Sequence, residues 1–328
     1  MRREMPAPKF IEISRPSVVQ AAVPPTDLGW QRVEEFLRVR ELAANSKKAY
    51  ERQLRQFYRW VQKPWAQVTH RDIDRYKQHL KELPSKRGGF LSSATINQSL
   101  NALRSFFKWL AVKDYISRNP TLTVESLKEP TKPPQDLEEK ELGSLFDALD
   151  YRGYSEVRDR AIMHVLDHGL RASEVSKLNI SDYDGKRLDV QDAKWGSDGR
   201  VPLKPGAILA LDSYLGWLVR NGIPTAPDSP LFVSLSNNSR GQRLGYSGIY
   251  DLVKDLAKVN DIEGIHPHRL RHTCATSLVV EGMDTILAKR FVRIKSDKVF
   301  ARYSDRALGI KMEEAFDEIY GEDRAEGE

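Results

Sequence analysis

The sequence predicts a mainly α-helical protein with a small β-sheet in the second of two domains, an α+β arrangement. Three observations point there. The chain has 328 residues, and at roughly 100–200 residues per domain that length suggests two units, each able to bury its own core. Apolar residues recur every three or four positions through most of the chain, the spacing of one helix face. A proline-rich stretch at residues 129–136, Glu-Pro-Thr-Lys-Pro-Pro-Gln-Asp, separates two halves of opposite net charge.

Residues 1–26 hold Pro6, Pro8, Pro16, Pro24 and Pro25 with little periodicity and read as a flexible arm. The first domain, residues 27–128, shows four helical patterns: Val33, Phe36 and Leu37; Tyr50, Leu54, Phe57 and Val61; Ile73, Tyr76 and Leu80; then Ile96, Leu100, Leu103, Phe107 and Leu110. Thr69 with Asp72 three positions on has the form of a capping box. Asn45 or Ser46, and Ser93, are candidate caps for the second and fourth helices. On the second helix Lys47, Lys48, Arg52, Arg55 and Arg59 interleave with the apolar stripe, which leaves an outer face suited to a phosphate backbone. Past the 129–136 linker, the second domain (residues 137–320) opens with helical patterns over 137–142 and 158–168. Two β-prone segments, Arg187–Val190 and Arg200–Leu203, then flank Gly196-Ser-Asp-Gly199, the composition of a hairpin loop. Helical spacing resumes at 209–220, 249–259, 270–281 and 285–292. It continues through Met312, Phe316 and Ile319 toward an acidic tail at 321–328.

The formal net charge of +6 and mean hydropathy of −0.54 describe a mildly basic, soluble chain. Its distribution is uneven. Residues 27–128 carry 20 basic and 10 acidic side chains, net +10, whereas residues 129–328 carry 28 and 34, net −6. A region of that size at +10 attracts polyanions, and nucleic acid is the commonest such partner. A solvated helical surface would give the same count. No run of about 18 apolar residues occurs, and the start MRREMPAPKF lacks the apolar stretch of a signal peptide. No membrane contact and a cytoplasmic location are therefore expected. Cys274 is the single cysteine, which excludes an internal disulfide framework and a cysteine-based zinc cluster. With no P-loop, GxGxxG or HExxH motif, neither a nucleotide nor a metal cofactor is expected. His266, His268 and His272 share a short segment, but the arginines between them repel a cation and no Cys, Asp or Glu completes a ligand set.

An anion suits those residues better. Arg269 and Arg271 alternate with His268 and His272 at an expected helix start, where backbone N–H groups already favour phosphate. Upstream, Gly169-Leu-Arg-Ala-Ser-Glu174 sets another arginine between a helix end and a helix start. A single arginine is more often a salt-bridge residue, but the order of these segments is specific. Gly-Leu-Arg-x-Ser-Glu is followed by a hairpin lysine, then His268-Arg-Leu-Arg-His-Thr-Cys-Ala-Thr276, then Ala301-Arg-Tyr-Ser304 with its tyrosine 35 residues after His268.

From about residue 27 onward this order resembles the tyrosine recombinase (phage integrase-like) family. The resemblance implies a two-domain DNA clamp, with a helical N-terminal core-binding domain and a C-terminal catalytic domain. It implies a site-specific recombinase that cleaves and rejoins strands of double-stranded DNA through a 3′-phosphotyrosyl intermediate, without metal or ATP. By the same resemblance Tyr303 is the nucleophile, Arg171 and Arg271 hold the scissile phosphate, Lys194 protonates the leaving 5′-oxygen, and His268 transfers a proton or binds phosphate. The chemistry fits these side chains, because attack at a phosphodiester builds negative charge that planar guanidinium forks bind well. Glu174 is expected to orient Arg171 or a histidine, with Arg269 facing DNA and His272 structural, though some members of the family place that ring near the phosphate. The family's C-terminal segment often docks on a neighbouring protomer, which implies a homo-tetramer on two DNA sites; the alternative is that the apolar stripe of Met312, Phe316 and Ile319 folds back on its own domain.

One departure stands out. The family usually carries Leu-Gly-His, or tryptophan for that histidine, nine residues before the tyrosine, and here Ile294 falls at that position. Isoleucine donates no hydrogen bond. The expectations are slower cleavage, substitution by Arg293 or Lys295, or a relative that binds DNA as an accessory factor without cutting it. Retention of packing by isoleucine favours an active enzyme.

Overall fold

A computed structural model describes residues 28–86, 88–129, 136–191 and 198–320. The N-terminal arm, most of the 129–136 linker, Lys194 with its loop, and the acidic tail lie outside the described residues. The chain divides into two compact units between residues 131 and 132.

The first unit contains α1 (Leu28–Val39), α2 (Ala44–Val61), α3 (His70–Glu82) and α4 (Ser93–Val112). Each amphipathic stripe turns inward. Val33, Phe36, Leu54, Phe57, Ile73, Tyr76, Leu80, Leu100, Phe106 and Phe107 are all buried, and each apolar side chain of that size contributes about 1.5–3 kcal/mol. Trp65, on a short 3₁₀ turn between α2 and α3, packs against Phe57 and Phe106 and donates its indole N–H to the carbonyl of Gly29 at 2.5 Å. The capping box at α3 is present: the Asp72 carboxylate accepts the Thr69 N–H at 2.9 Å and its hydroxyl at 2.8 Å. The other caps differ from expectation. Ser92, one residue before Ser93, caps α4 by accepting the Thr95 N–H. Neither Asn45 nor Ser46 caps α2, because the helix already begins at Ala44 behind Ala43, which makes no side-chain cap bond. The exposed amides of that first turn can be met by water.

The second unit contains α5 (Glu139–Asp147), α6 (Glu156–Asp167), α7 (Ala172–Val175), the strands β1 (Arg187–Val190) and β2 (Gly199–Pro202), then α8 (Pro205–Arg220), α9 (Tyr246–Val259), α10 (Pro267–Val280), α11 (Thr285–Phe291) and α12 (Asp297–Tyr320). The strands pair antiparallel, Arg187 opposite Pro202 and Val190 opposite Gly199. One core gathers Ile162 and Leu166 of α6, Leu188 and Val201 of the hairpin, Leu211 and Tyr214 of α8, and Leu252 of α9. A smaller cluster is built separately from Cys274, Ala275, Leu278, Ala288, Val292, Phe300, Tyr303 and Ala307, and it joins α10, α11 and α12. Met312, Phe316 and Ile319 on the last turns of α12 are exposed rather than folded back. Among the described residues no helix is long and apolar enough to cross a membrane.

Candidate active site

The geometry begins where α6 ends. Gly169 has φ +75°, the left-handed conformation that closes a helix, and a Cβ there would lie 3.2 Å from Val292 Cγ1 and 3.3 Å from Cys274 Sγ. Only glycine makes this turn without crowding. The chain then buries Leu170 and sets Arg171 at the N-cap of α7, where Glu174 folds back onto it. Glu174 Oε2 accepts the Arg171 backbone N–H at 2.9 Å, and Oε1 accepts Arg171 Nη1 at 2.5 Å.

Helix α10 supplies the second arginine. Pro267 opens it, the position where a missing N–H costs nothing. His268 therefore sits in the first turn, with Arg271 and His272 one turn further on. Arg271 is only 2% exposed, and its two Nη groups donate to the carbonyls of Gly169 and Val292. This one side chain thus ties the α6–α7 turn to the end of α11. Its pKa falls to about 10, through burial first and then the nearby Arg171 guanidinium. It remains a cation at neutral pH.

Tyr303 is buried within α12, and its O–H donates to His272 Nδ1 at 2.5 Å. The accepting ring is neutral, because burial, followed by the charges of His268, His266 and Arg271, pushes the His272 pKa down to about 4. Burial raises the pKa of Tyr303, while Arg271, Arg302 and Arg171 act in the opposite sense. Both predicted phosphate-binding arginines thus favour the ionised phenolate. His268 stacks edge-on against His272 with ring centroids 4.4 Å apart. Its surface is still exposed, but partial desolvation by its neighbours and then Arg271 lower its pKa as well.

The structure thus brings Arg171, Glu174, His268, Arg271, His272 and Tyr303 together. Ile294 is half-buried against the small cluster that holds Tyr303, so it packs but offers no polar group. Arg293, beside it, reaches Glu174 instead, with Nη2 2.6 Å from Oε2. That ion pair spans 119 residues of sequence, and its only sequence signal is an arginine where the resembled motif has glycine. On α2, Lys47, Lys48, Arg52, Arg55 and Arg59 are all exposed; Arg55 is in addition paired with Glu51 at 2.6 Å and lies over the Trp30 ring. Arg269, expected on DNA, is turned inward: its side chain is 13% exposed, donates to the carbonyls of Glu263 and Asp136, and lies 3.6 Å from Glu141. No group of three or more His, Cys, Asp or Glu among the described residues could hold a metal ion.

Residues 135–307 match the Phage integrase family, and residues 30–117 match the N-terminal SAM-like domain of phage integrases. Tyrosine recombinase XerC of Roseiflexus castenholzii is 31% identical over 268 residues, covering 77% of this chain and 82% of that protein. Among solved structures, XerH site-specific recombinase bound to its palindromic difH substrate shares the fold with a TM-score of 0.67 at 19% identity, covering 88% of this chain and 84% of that one. The Tn1549 transposon integrase in complex with circular intermediate DNA does so with a TM-score of 0.65 at 21% identity, over 85% and 97%. With the family match running through all three sequence segments that meet around Tyr303, the chain belongs to the phage integrase family and is a tyrosine recombinase.

Proposed function

We propose that the protein is a site-specific recombinase that cuts and rejoins double-stranded DNA through a 3′-phosphotyrosyl intermediate. The observation that supports this reading best is that Tyr303 bonds His272 on α10, while Arg271 of the same helix bonds the Gly169 carbonyl two residues before Arg171. In the cleavage step the Tyr303 oxygen attacks the scissile phosphorus and the bond to the 5′-oxygen breaks. Arg171 and Arg271 balance the charge that builds on the non-bridging oxygens. The phenol proton leaves to the His268–His272 pair, and Lys194 protonates the departing 5′-oxygen. Because the phosphotyrosyl bond keeps the energy of the broken linkage, a second 5′-hydroxyl can reverse the step without external fuel.

The cations of α2 hold the duplex by its phosphates. The exposed stripe of Met312, Phe316 and Ile319 supports assembly between protomers, in our reading a homo-tetramer on two DNA sites. The protein works in the cytoplasm, on nucleoid DNA in a prokaryotic host.

The test is a pool of nicked duplexes of random sequence, in which the nick lets the short released piece bearing the free 5′-hydroxyl diffuse away. A denaturant-resistant protein–DNA adduct that disappears in Tyr303→Phe is the expected result. Tight binding with no adduct would instead make the protein a non-catalytic DNA-binding relative, the reading that Ile294 leaves open.

A further inference from the structure

We propose that Arg293 is a positioning residue for strand cleavage: it neutralises Glu174 from behind, and through Glu174 it leaves the charge of Arg171 available to the scissile phosphate. The inference rests on the reading of Arg171 as a phosphate-binding group.

The problem it solves is visible in the charges. Glu174 is buried, with one carboxylate oxygen on the Arg171 guanidinium and the other on the Arg171 backbone. A carboxylate so placed fixes the guanidinium, but it also cancels the charge a phosphate must feel. Arg171 and Glu174 alone sum to zero. Arg293 adds the missing positive charge from the side of Glu174, its Nη2 2.6 Å from the oxygen that accepts the Arg171 N–H. Burial acts against the ionised form of Glu174, and the charge of Arg293, together with the bonds and charge of Arg171, outweighs it. Being itself only 7% exposed, Arg293 acts on substrate through its neighbours.

Three local costs accompany this placement. Arg293 has φ +54°, a left-handed conformation that a large side chain rarely takes. Its Nε is buried without a hydrogen-bond partner. Its methylenes fill the space a side chain at position 199 would need, for a Cβ on Gly199 would lie 3.1 Å from Arg293 Cδ. A glycine at 293 would remove the first two costs, so the arginine is kept against local preference, as strained residues at functional sites are.

The experiment uses the full chain and the duplex enriched in the adduct selection above, carrying either the normal phosphate or a neutral methylphosphonate at the scissile step. Arg293→Met should bind this duplex as tightly as the unaltered protein, yet form the Tyr303 adduct roughly 10²-fold more slowly at saturating DNA, the scale of loss that accompanies a misplaced catalytic group. Arg293→Gly, which relieves the backbone strain but removes the same charge, should be just as slow. Arg293→Lys should recover part of the rate. On the methylphosphonate, which has no anionic charge to hold, the gap between Arg293→Met and the unaltered protein should close. In an Arg171→Lys background Arg293→Met should add little.

A cleavage rate unchanged in Arg293→Met, an equal loss on phosphate and methylphosphonate, or full additivity with Arg171→Lys would each overturn the proposal. If the unaltered protein forms no adduct at all, the recombinase reading itself fails and takes this inference with it.

Discussion

Gly169 shows how much of the site rests on one backbone conformation. Its φ of +75° strains any L side chain, and a would-be Cβ lies 3.2 and 3.3 Å from Val292 and Cys274, which would have to give way, so Gly169→Ala is expected to lower stability by about 1–3 kcal/mol through strain and overpacking. Because its carbonyl anchors Arg271, adduct formation should fall further than the shift in thermal midpoint accounts for. His272 supplies a pH signature. Its folded pKa of about 4 lies below the ordinary value of 6.5, so the unfolded chain takes up the proton first. The stability from this ring is therefore complete above about pH 6.5 and is lost as the pH falls toward 4. Chemical denaturation across that window should show the loss, and His272→Gln should flatten it. The arginine and tyrosine segments were legible because each is a short run of fixed spacing. The Arg293–Glu174 pair was not, since it depends on a left-handed residue meeting a carboxylate 119 positions away. The link from His272 to Tyr303 was hidden for the same reason, and sequence reasoning took that ring as structural.

Helices were the most legible elements, because each buries a single apolar stripe whose period shows in the residues themselves. Leu54 and Phe57 of α2 are fully buried, as their spacing predicts. Helix starts were less legible. Capping depends on where the chain enters the helix, and at α2 that entry passes through Ala43, which offers no polar atom. The α3 capping box is the readable exception and is directly testable. Asp72 has its pKa lowered to about 2: burial opposes the charged form, but the bonds from Lys63 and Thr69 outweigh it. A depressed carboxylate contributes stability that is complete above its ordinary pKa of 3.8 and disappears as the pH falls toward 2. Asp72→Asn is thus expected to cost the first unit about 1 kcal/mol near neutrality, with the difference from the unaltered chain vanishing in acid when both are unfolded by urea.

Across the whole chain the charge is divided by unit, net +10 over residues 27–128 against −6 beyond. DNA affinity should therefore depend steeply on salt. If Lys47, Lys48, Arg52 and Arg59 each meet a phosphate, their combined replacement by Gln should reduce the slope of log K against log salt by about 3–4. An unchanged slope would remove α2 from the interface. The exposed end of α12 leads to a second expectation: Phe316→Asp should leave the isolated protein folded, since that ring is exposed, while reducing the higher-order complexes seen on DNA by native gel or light scattering. The two-unit division and the small sheet were legible from the linker and the hairpin composition. The separate cluster under α12 was not, because its members come from three helices and no local period links them. Its consequence is dynamic. Tyr303 belongs to this minor nucleus and not to the principal one beneath α6, so α12 can detach in a sub-global opening that leaves the rest of the unit intact. Amide exchange should accordingly be faster along α12 than along α6, giving the nucleophile a route to swing toward DNA without melting its scaffold.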